Sequence, residues 1–256
     1  MPPDSPGLGC QLGVIFALPL EAHAFEGLVT GSRLYHVAGL TIATGSLAGQ
    51  QVVWTVCGVG EAAAGRAARL LCDGHDPHWL VSAGFAGGLN PDLTRGQLIM
   101  PAHIVAEAHP QQPPHPVEAT LAARFWQQHP PANTTLISVD GIVANPAAKA
   151  ALRQATAADL VDMESWAVAT VAETTGRGFL SLRVISDTAA EALPREVTRL
   201  SQPLSQLRRL GTALGAIARR PGAAVDFWHL WERGLTQSQS LASGLVDIIA
   251  ASAEQP

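Results

Sequence analysis

The sequence predicts an α/β protein: a three-layer α/β/α sandwich around a mixed central sheet with a helical C-terminal extension, all in one domain of residues 1–256. Three observations lead there. Short apolar runs of strand length alternate with helical segments over residues 12–190, which is how helices come to cover both faces of a sheet. Residues 33–56 carry hairpin patterning instead, so the sheet is mixed rather than purely parallel. And 47% of the 256 residues are hydrophobic against 14% charged, enough for a sizeable core and too apolar for global disorder.

Each element follows from its residues. Residues 12–18 are a short apolar run, a buried strand. Pro19 suits the first turn of a helix carrying Leu20, Ala24, Phe25 and Leu28. Residues 40–43 and 52–56 read as hairpin strands about a turn at Gly49. Gly58-Val59-Gly60 precedes an alanine-rich helix over 61–72, and the strand at 79–83 runs into Gly84-Phe85-Ala86-Gly87-Gly88. Residues 97–106 read as one strand, 107–116 as a loop and 117–128 as a helix. The strand at 136–143 is interrupted at Asp140-Gly141, and Pro146 opens the next helix. A brief strand at 160–162 meets a helix from about 164 to 175 that Gly176 stops. The last buried strand, 179–185, ends at Ser186-Asp187, and the remaining residues read as helical. The core is thus 12–190 and the extension 191–256.

Charge and cysteine use narrow the function. The net charge of −5 and isoelectric point near 6.0 argue against a nucleic-acid partner. Lys149 is the only lysine among 16 basic residues. Cys10, Cys57 and Cys72 are an odd number, which speaks against a disulfide framework. The run Cys72-Asp73-Gly74-His75-Asp76-Pro77-His78 superficially offers metal ligands, but its spacing matches no standard zinc pattern, and no metal or organic cofactor is expected. Residues 1–11 carry no positive charge, and no uninterrupted apolar stretch reaches the roughly 20 residues that span a bilayer, so a cytoplasmic location is expected.

Three acids fall at or near strand ends: Glu21, Glu164 and Asp187. Ligands of open α/β sheets gather beyond the carboxyl ends of strands. Any one of these acids also suits a helix N-terminus, which favours negative charge. Asp187 is the hardest to read that way, because it ends a strand. The glycine turn at 84–88 lets a ligand approach backbone N–H groups closely, though it is equally legal as a plain turn. Gly58-x-Gly60-x-x-Ala63 formally satisfies a dinucleotide fingerprint, a match that chance often supplies.

Four motifs in order carry a resemblance. Gly13-Val14-Ile15-Phe16-Ala17-Leu18-Pro19-Leu20-Glu21 resembles the first strand and acid of the purine nucleoside phosphorylase and nucleosidase superfamily. Ser82-Ala83-Gly84-Phe85-Ala86-Gly87-Gly88-Leu89 followed by Gly96-Gln97-Leu98-Ile99 resembles its glycine turn and next strand; Val161-Asp162-Met163-Glu164-Ser165 and Arg183-Val184-Ile185-Ser186-Asp187 resemble its two later signatures. The resemblance spans roughly residues 12–190.

It implies cleavage of an N-glycosidic bond. Asp187 would donate to purine N7, Glu164 would accept from both ribose hydroxyls with Met163 against the sugar, and Glu21 would deprotonate the attacking water. Ile142 and Val143 would wall the base, while Asp162, Ser186, Phe85, Ala86 and Gly87 complete the expected binding set. Related phosphorylases place arginines where this chain has Glu21 and Ser82. A carboxylate repels phosphate but can activate water, which favours hydrolysis, as in methylthioadenosine/S-adenosylhomocysteine nucleosidases; phosphorolysis is the alternative.

After Asp187, Ala192-Leu193-Pro194-Arg195 leads into a long helical extension, which resembles the tail of the hopanoid-associated phosphorylase-like branch, implicated in removing adenine from adenosylhopane. Its Leu204, Leu207, Leu210, Leu214 and Ile217 share a helical face, and residues 195–220 hold six Arg against one Glu, with Phe227, Trp228 and Trp231 following. That region suits either packing on the protein or peripheral contact, through 195–231, with the inner face of an anionic membrane. The resemblance also implies a homodimer. A dinucleotide-dependent oxidoreductase and a nucleoside-binding sensor are the competing classes.

Overall fold

The computed structural model describes residues 10–193 and 221–252, with side chains of the last helix described from Gly234 onward. The basic segment 195–220 and the side chains of Phe227, Trp228 and Trp231 therefore lie outside the described residues. Among the described residues no helix is long and apolar enough to cross a membrane.

The strands are β1 (Leu12–Phe16), β2 (Thr30–Val37), β3 (Leu40–Leu47), β4 (Gln50–Val56), β5 (Trp79–Gly88), β6 (Leu98–Ile99), β7 (His103–Ala106), β8 (His115–Pro116), β9 (Thr135–Ser138), β10 (Leu160–Asp162) and β11 (Gly178–Asp187). The helices are α1 (Pro19–Leu28), α2 (Glu61–His75), α3 (Ala119–Gln128), α4 (Pro146–Thr156), α5 (Ser165–Thr175) and α6 (Pro221–Ser252). One mixed sheet runs β2-β3-β4-β1-β5-β10-β9-β7-β8, with β11 paired to β5 and β6. The β2–β4 meander is antiparallel, while β1 lies parallel to both β4 and β5.

β5 is the hub. Its first half lies between β1 and β11, in parallel register Ser82↔Ile15 and Ser82↔Ser181. Its last two residues, Gly87 and Gly88, pair antiparallel with β10. The residues that follow β1, β10 and β11 therefore all lie beside the carboxyl half of one strand.

The three layers can be read off β11, whose side chains alternate between sheet faces. Leu182 points to Gly244 of α6, whereas Ser181 and Arg183 bond Ser165 at the start of α5. α2 and α5 pack on each other and both bury small residues, Ala64, Ala67 and Ala68 on α2 and Ala167, Ala169 and Ala172 on α5, with Gly65 facing Ala167. α6 lies along α1 on the other face and sends Leu241, Leu245, Ile248 and Ile249 into the core, a stripe at helical spacing.

Local chemistry sets the helix ends. Pro146 occupies the first turn of α4, and the Asn145 side chain accepts the Ala148 N–H at 2.9 Å. Gly176 ends α5 at φ 68°, where a side chain would be strained.

Two expectations need correction. The single strand over 97–106 is two: β6 pairs antiparallel with β11, whereas β7 pairs parallel with β9, and the chain changes partner across Met100-Pro101-Ala102. Pro101 has no N–H for a ladder, which favours the break. The strand expected over 136–143 stops at Ser138, so Ile142 and Val143 lie on the loop before α4 rather than on a strand.

Candidate active site

Glu21 is the third residue of α1, and its carboxylate folds back over the β1–α1 turn. Oε2 accepts the N–H groups of Ala17 (2.9 Å) and Leu18 (2.8 Å), and Oε1 accepts that of Phe85 on β5 (2.8 Å). The oxygen lies so close to β5 that a Cβ on Gly84 would stand 2.6 Å from Glu21 Oε1 and 2.7 Å from Arg183 Nη1. Glycine at 84 is thus required by a close approach, not by a turn. Burial raises the Glu21 carboxyl above its ordinary range; the Phe85 N–H, the Arg183 guanidinium and the two turn N–H groups oppose that push.

Glu164 follows β10 and stands at the N-cap position of α5, its side chain turned away from the helix N–H groups. Its Oε1 accepts the Gly60 N–H at 2.8 Å and its Oε2 the Met163 N–H at 3.2 Å. Burial and then the charge of Asp162 push its carboxyl up to about 7, with Glu21 adding to the push and Arg183 and Gly60 opposing it. Cys57 feels the same two acids: burial first, then Glu164 and Glu21, push its thiol to about 12, so it stays an unreactive thiol.

Beneath the acids lies Arg183, 1% exposed. Its Nη2 donates to Ser165 Oγ (2.8 Å) and to Ser82 Oγ, and the guanidinium forms an ion pair with Asp162, Nη2 lying 2.6 Å from Oδ2. Asp162 also accepts Ser138 Oγ at 2.6 Å and the Ser165 N–H at 2.9 Å. Asp162 is buried, and its bonds to Ser138, Ser165 and Arg183 make it part of the floor under the acids.

Asp187 ends β11 beside the glycine turn, where a Cβ on Gly87 would stand 3.4 Å from its Oδ2. Ser186 Oγ donates to Asp187 Oδ1 at 2.5 Å and lies 3.2 Å from the Ala86 carbonyl. Lys149 of α4 bonds Asp187 Oδ2 from the other side. Phe85 and Met163 are half-buried near these groups; Met163 and Val143 pack on one small apolar cluster of Leu89, Ile137, Val139, Ala158 and Val161. Ile142 is half-buried on the same loop as Val143.

Glu21, Glu164 and Asp187 thus gather at the carboxyl end of β5 and its neighbours, with Ser186, Ala86 and Gly87. Sequence reasoning gave no role to Arg183 or Lys149. The signal for Lys149 was its being the one lysine in a chain otherwise served by arginine. The Gly60 N–H, offered by the dinucleotide-like loop, is taken by a carboxylate that would repel a pyrophosphate.

The chain resembles known proteins in sequence and shape. It is 33% identical over 95 residues to the 5′-methylthioadenosine/S-adenosylhomocysteine nucleosidase of Shewanella piezotolerans, covering 37% of this chain and 41% of that enzyme's length. The enzyme of the same name from Marinomonas sp. is 25% identical over 214 residues, 72% of this chain and 88% of that one. The S-adenosylhomocysteine nucleosidase of Streptococcus pyogenes, solved in complex with 5-methylthiotubericidin, shares the fold with a TM-score of 0.74 at 17% identity, over 96% of this chain and 98% of that one. Residues 11–220 match the model of the phosphorylase superfamily, and the chain belongs to that superfamily.

Proposed function

We propose that this protein hydrolyses the N-glycosidic bond of an adenosine-type nucleoside or adenosyl conjugate, releasing the base. The observation that carries this reading is the count of acceptor positions left on the acids. A carboxylate has about four acceptor positions. Among the described residues, backbone N–H groups use two at Glu164, one on each oxygen, and three at Glu21. That leaves two positions for the two hydroxyls of a ribose and one for a single water.

The reaction then runs as follows. Glu164 holds the ribose diol, with Met163 beside it. Glu21 takes a proton from the water whose oxygen attacks the anomeric carbon. The C1′–N9 bond breaks, its electron pair goes to the base, and Asp187 supplies a proton to N7. Val143 and Ile142 flank the base. The products are the free purine and a 5-substituted ribose. The relatives named for methylthioadenosine and S-adenosylhomocysteine support a 5′-thio substituent.

Water is favoured over phosphate because the cations described near the acids are already committed. Arg183 is paired with Asp162 and faces Glu21, and the three donors of Lys149 go to Asp187, Thr188 and Glu191. Among the described residues, a phosphate would meet Glu21 without an uncommitted cation to balance it. Incubation with adenosine, 5′-methylthioadenosine and S-adenosylhomocysteine should release adenine and a free ribose product at the same rate with and without phosphate. Accumulation of a ribose 1-phosphate, only when phosphate is present, would overturn the assignment of Glu21.

A further inference from the structure

Lys149 is the only fully buried residue of α4, with 0% exposure, an uncommon place for a lysine. Its Nζ bonds Asp187 Oδ2 and donates to the Thr188 carbonyl at 2.6 Å and the Glu191 carbonyl at 3.0 Å. Three acceptors match the three N–H donors of an ammonium. All three belong to the segment that starts at Asp187. That segment is tied down elsewhere too: Glu191 Oε2 accepts the Thr188 N–H at 2.7 Å, Arg95 pairs with Glu191 at 2.7 Å, and the Leu193 N–H donates to the Ala144 carbonyl at 2.8 Å. The loop is therefore not short of anchors, and the third donor of Lys149 is spent on the carboxyl group itself.

We propose that Lys149 is the positioning residue of the acid, acting on departure of the base through Asp187. This rests on the reading of Asp187 as proton donor. When the base leaves, the Asp187 O–H bond breaks, an N7–H bond forms, and the C1′–N9 electron pair passes to the base. Asp187 becomes a carboxylate beside an ammonium. The attraction between the two is weak while Asp187 carries its proton and full once the proton has left, so it favours the transition state over the bound substrate. Ser186 supports the same change from the other oxygen. Its hydroxyl donates to Oδ1 when Asp187 is ionised and can turn to the Ala86 carbonyl when Oδ1 carries the proton. Lys149 has no donor left for the sugar, so it does not contribute to binding the ribose.

The test compares two leaving groups. Adenine needs a proton to depart; the phenolate of p-nitrophenyl β-D-ribofuranoside does not. In Lys149→Met, kcat for the adenosine substrate should fall about 100-fold, the scale of general acid catalysis. Its KM and the turnover of the p-nitrophenyl riboside should stay within a few-fold of wild type. Adding Lys149→Met to Asp187→Asn should cost nothing further, because both act at one proton. Equal loss on both substrates, or a full additional loss in the double variant, would make Lys149 a purely structural residue and overturn the proposal. So would an unchanged kcat for adenosine. A wild-type protein that releases no base from any nucleoside would instead sink the reading of the reaction itself, and this role with it.

Discussion

Glu164 is buried beside Asp162 and within reach of Glu21, and this crowding holds its proton up to about 7. Below that value the group is largely neutral and accepts hydroxyl donors poorly; above it the carboxylate accepts both. KM for a nucleoside should therefore fall as pH rises from about 6 to about 8. In Glu164→Gln, KM should be flat with pH and raised about 100-fold, since two hydrogen bonds to a charged group are lost. The same shift enters stability. A carboxyl raised from 4.5 to about 7 binds its proton more tightly folded than unfolded, so its contribution is full below pH 4.5 and is lost as pH rises through 7. That loss is on the order of 3 kcal/mol and should be absent in Glu164→Gln, as urea unfolding at several pH values would show. A KM independent of pH in the wild type would contradict the ribose role. At this scale much of the site is legible in sequence, because Glu21, Glu164 and Asp187 stand in short motifs at strand ends. The partners of those acids are not. Arg183 lies on a strand that reads as buried, and its contacts with Asp162, Ser82 and Ser165 join residues up to 101 positions apart.

At the scale of elements, small residues decide how the layers close. α2 and α5 approach through alanines, and a Cβ on Gly65 of α2 would stand 3.6 Å from the Ala167 Cβ, an ordinary contact. Gly65→Ala should therefore fill space without a clash and relieve the backbone entropy cost of a helical glycine. A gain of about 0.5–1 kcal/mol follows, or roughly 1–4 °C in Tm, with kcat unchanged. Destabilisation in a thermal melt would mean the two helices are packed more tightly than described. Most elements could be read from the chain because their signals are local: Pro19 and Pro146 at helix starts, Gly176 at a helix end, and a continuous apolar run for β1. The misreadings came from non-local choices. Residues 97–106 are apolar enough for one strand, yet they serve two different sheet neighbours, and only pairing decides where such a run breaks.

At the scale of the molecule, the fold works by bringing three strand ends to a fourth. β1 delivers Glu21, β10 delivers Glu164 and β11 delivers Asp187, each beside the carboxyl half of β5, whose glycines let the acids come close. From Gly84, against which Glu21 rests, to Gly87, against which Asp187 rests, is three residues of strand, or about 10 Å. That is the length over which a sugar and a purine ring must be held, and helices on both faces keep the ends in place. The most direct measurement is a crystal structure of the protein with a non-hydrolysable adenosine analogue. It should place both ribose hydroxyls on the Glu164 carboxylate, purine N7 against Asp187 and a water on Glu21 beneath the anomeric carbon. An analogue seated instead in the groove lined by Leu89, Pro91, Ala150 and Thr188, with the three acids left untouched, would contradict the account.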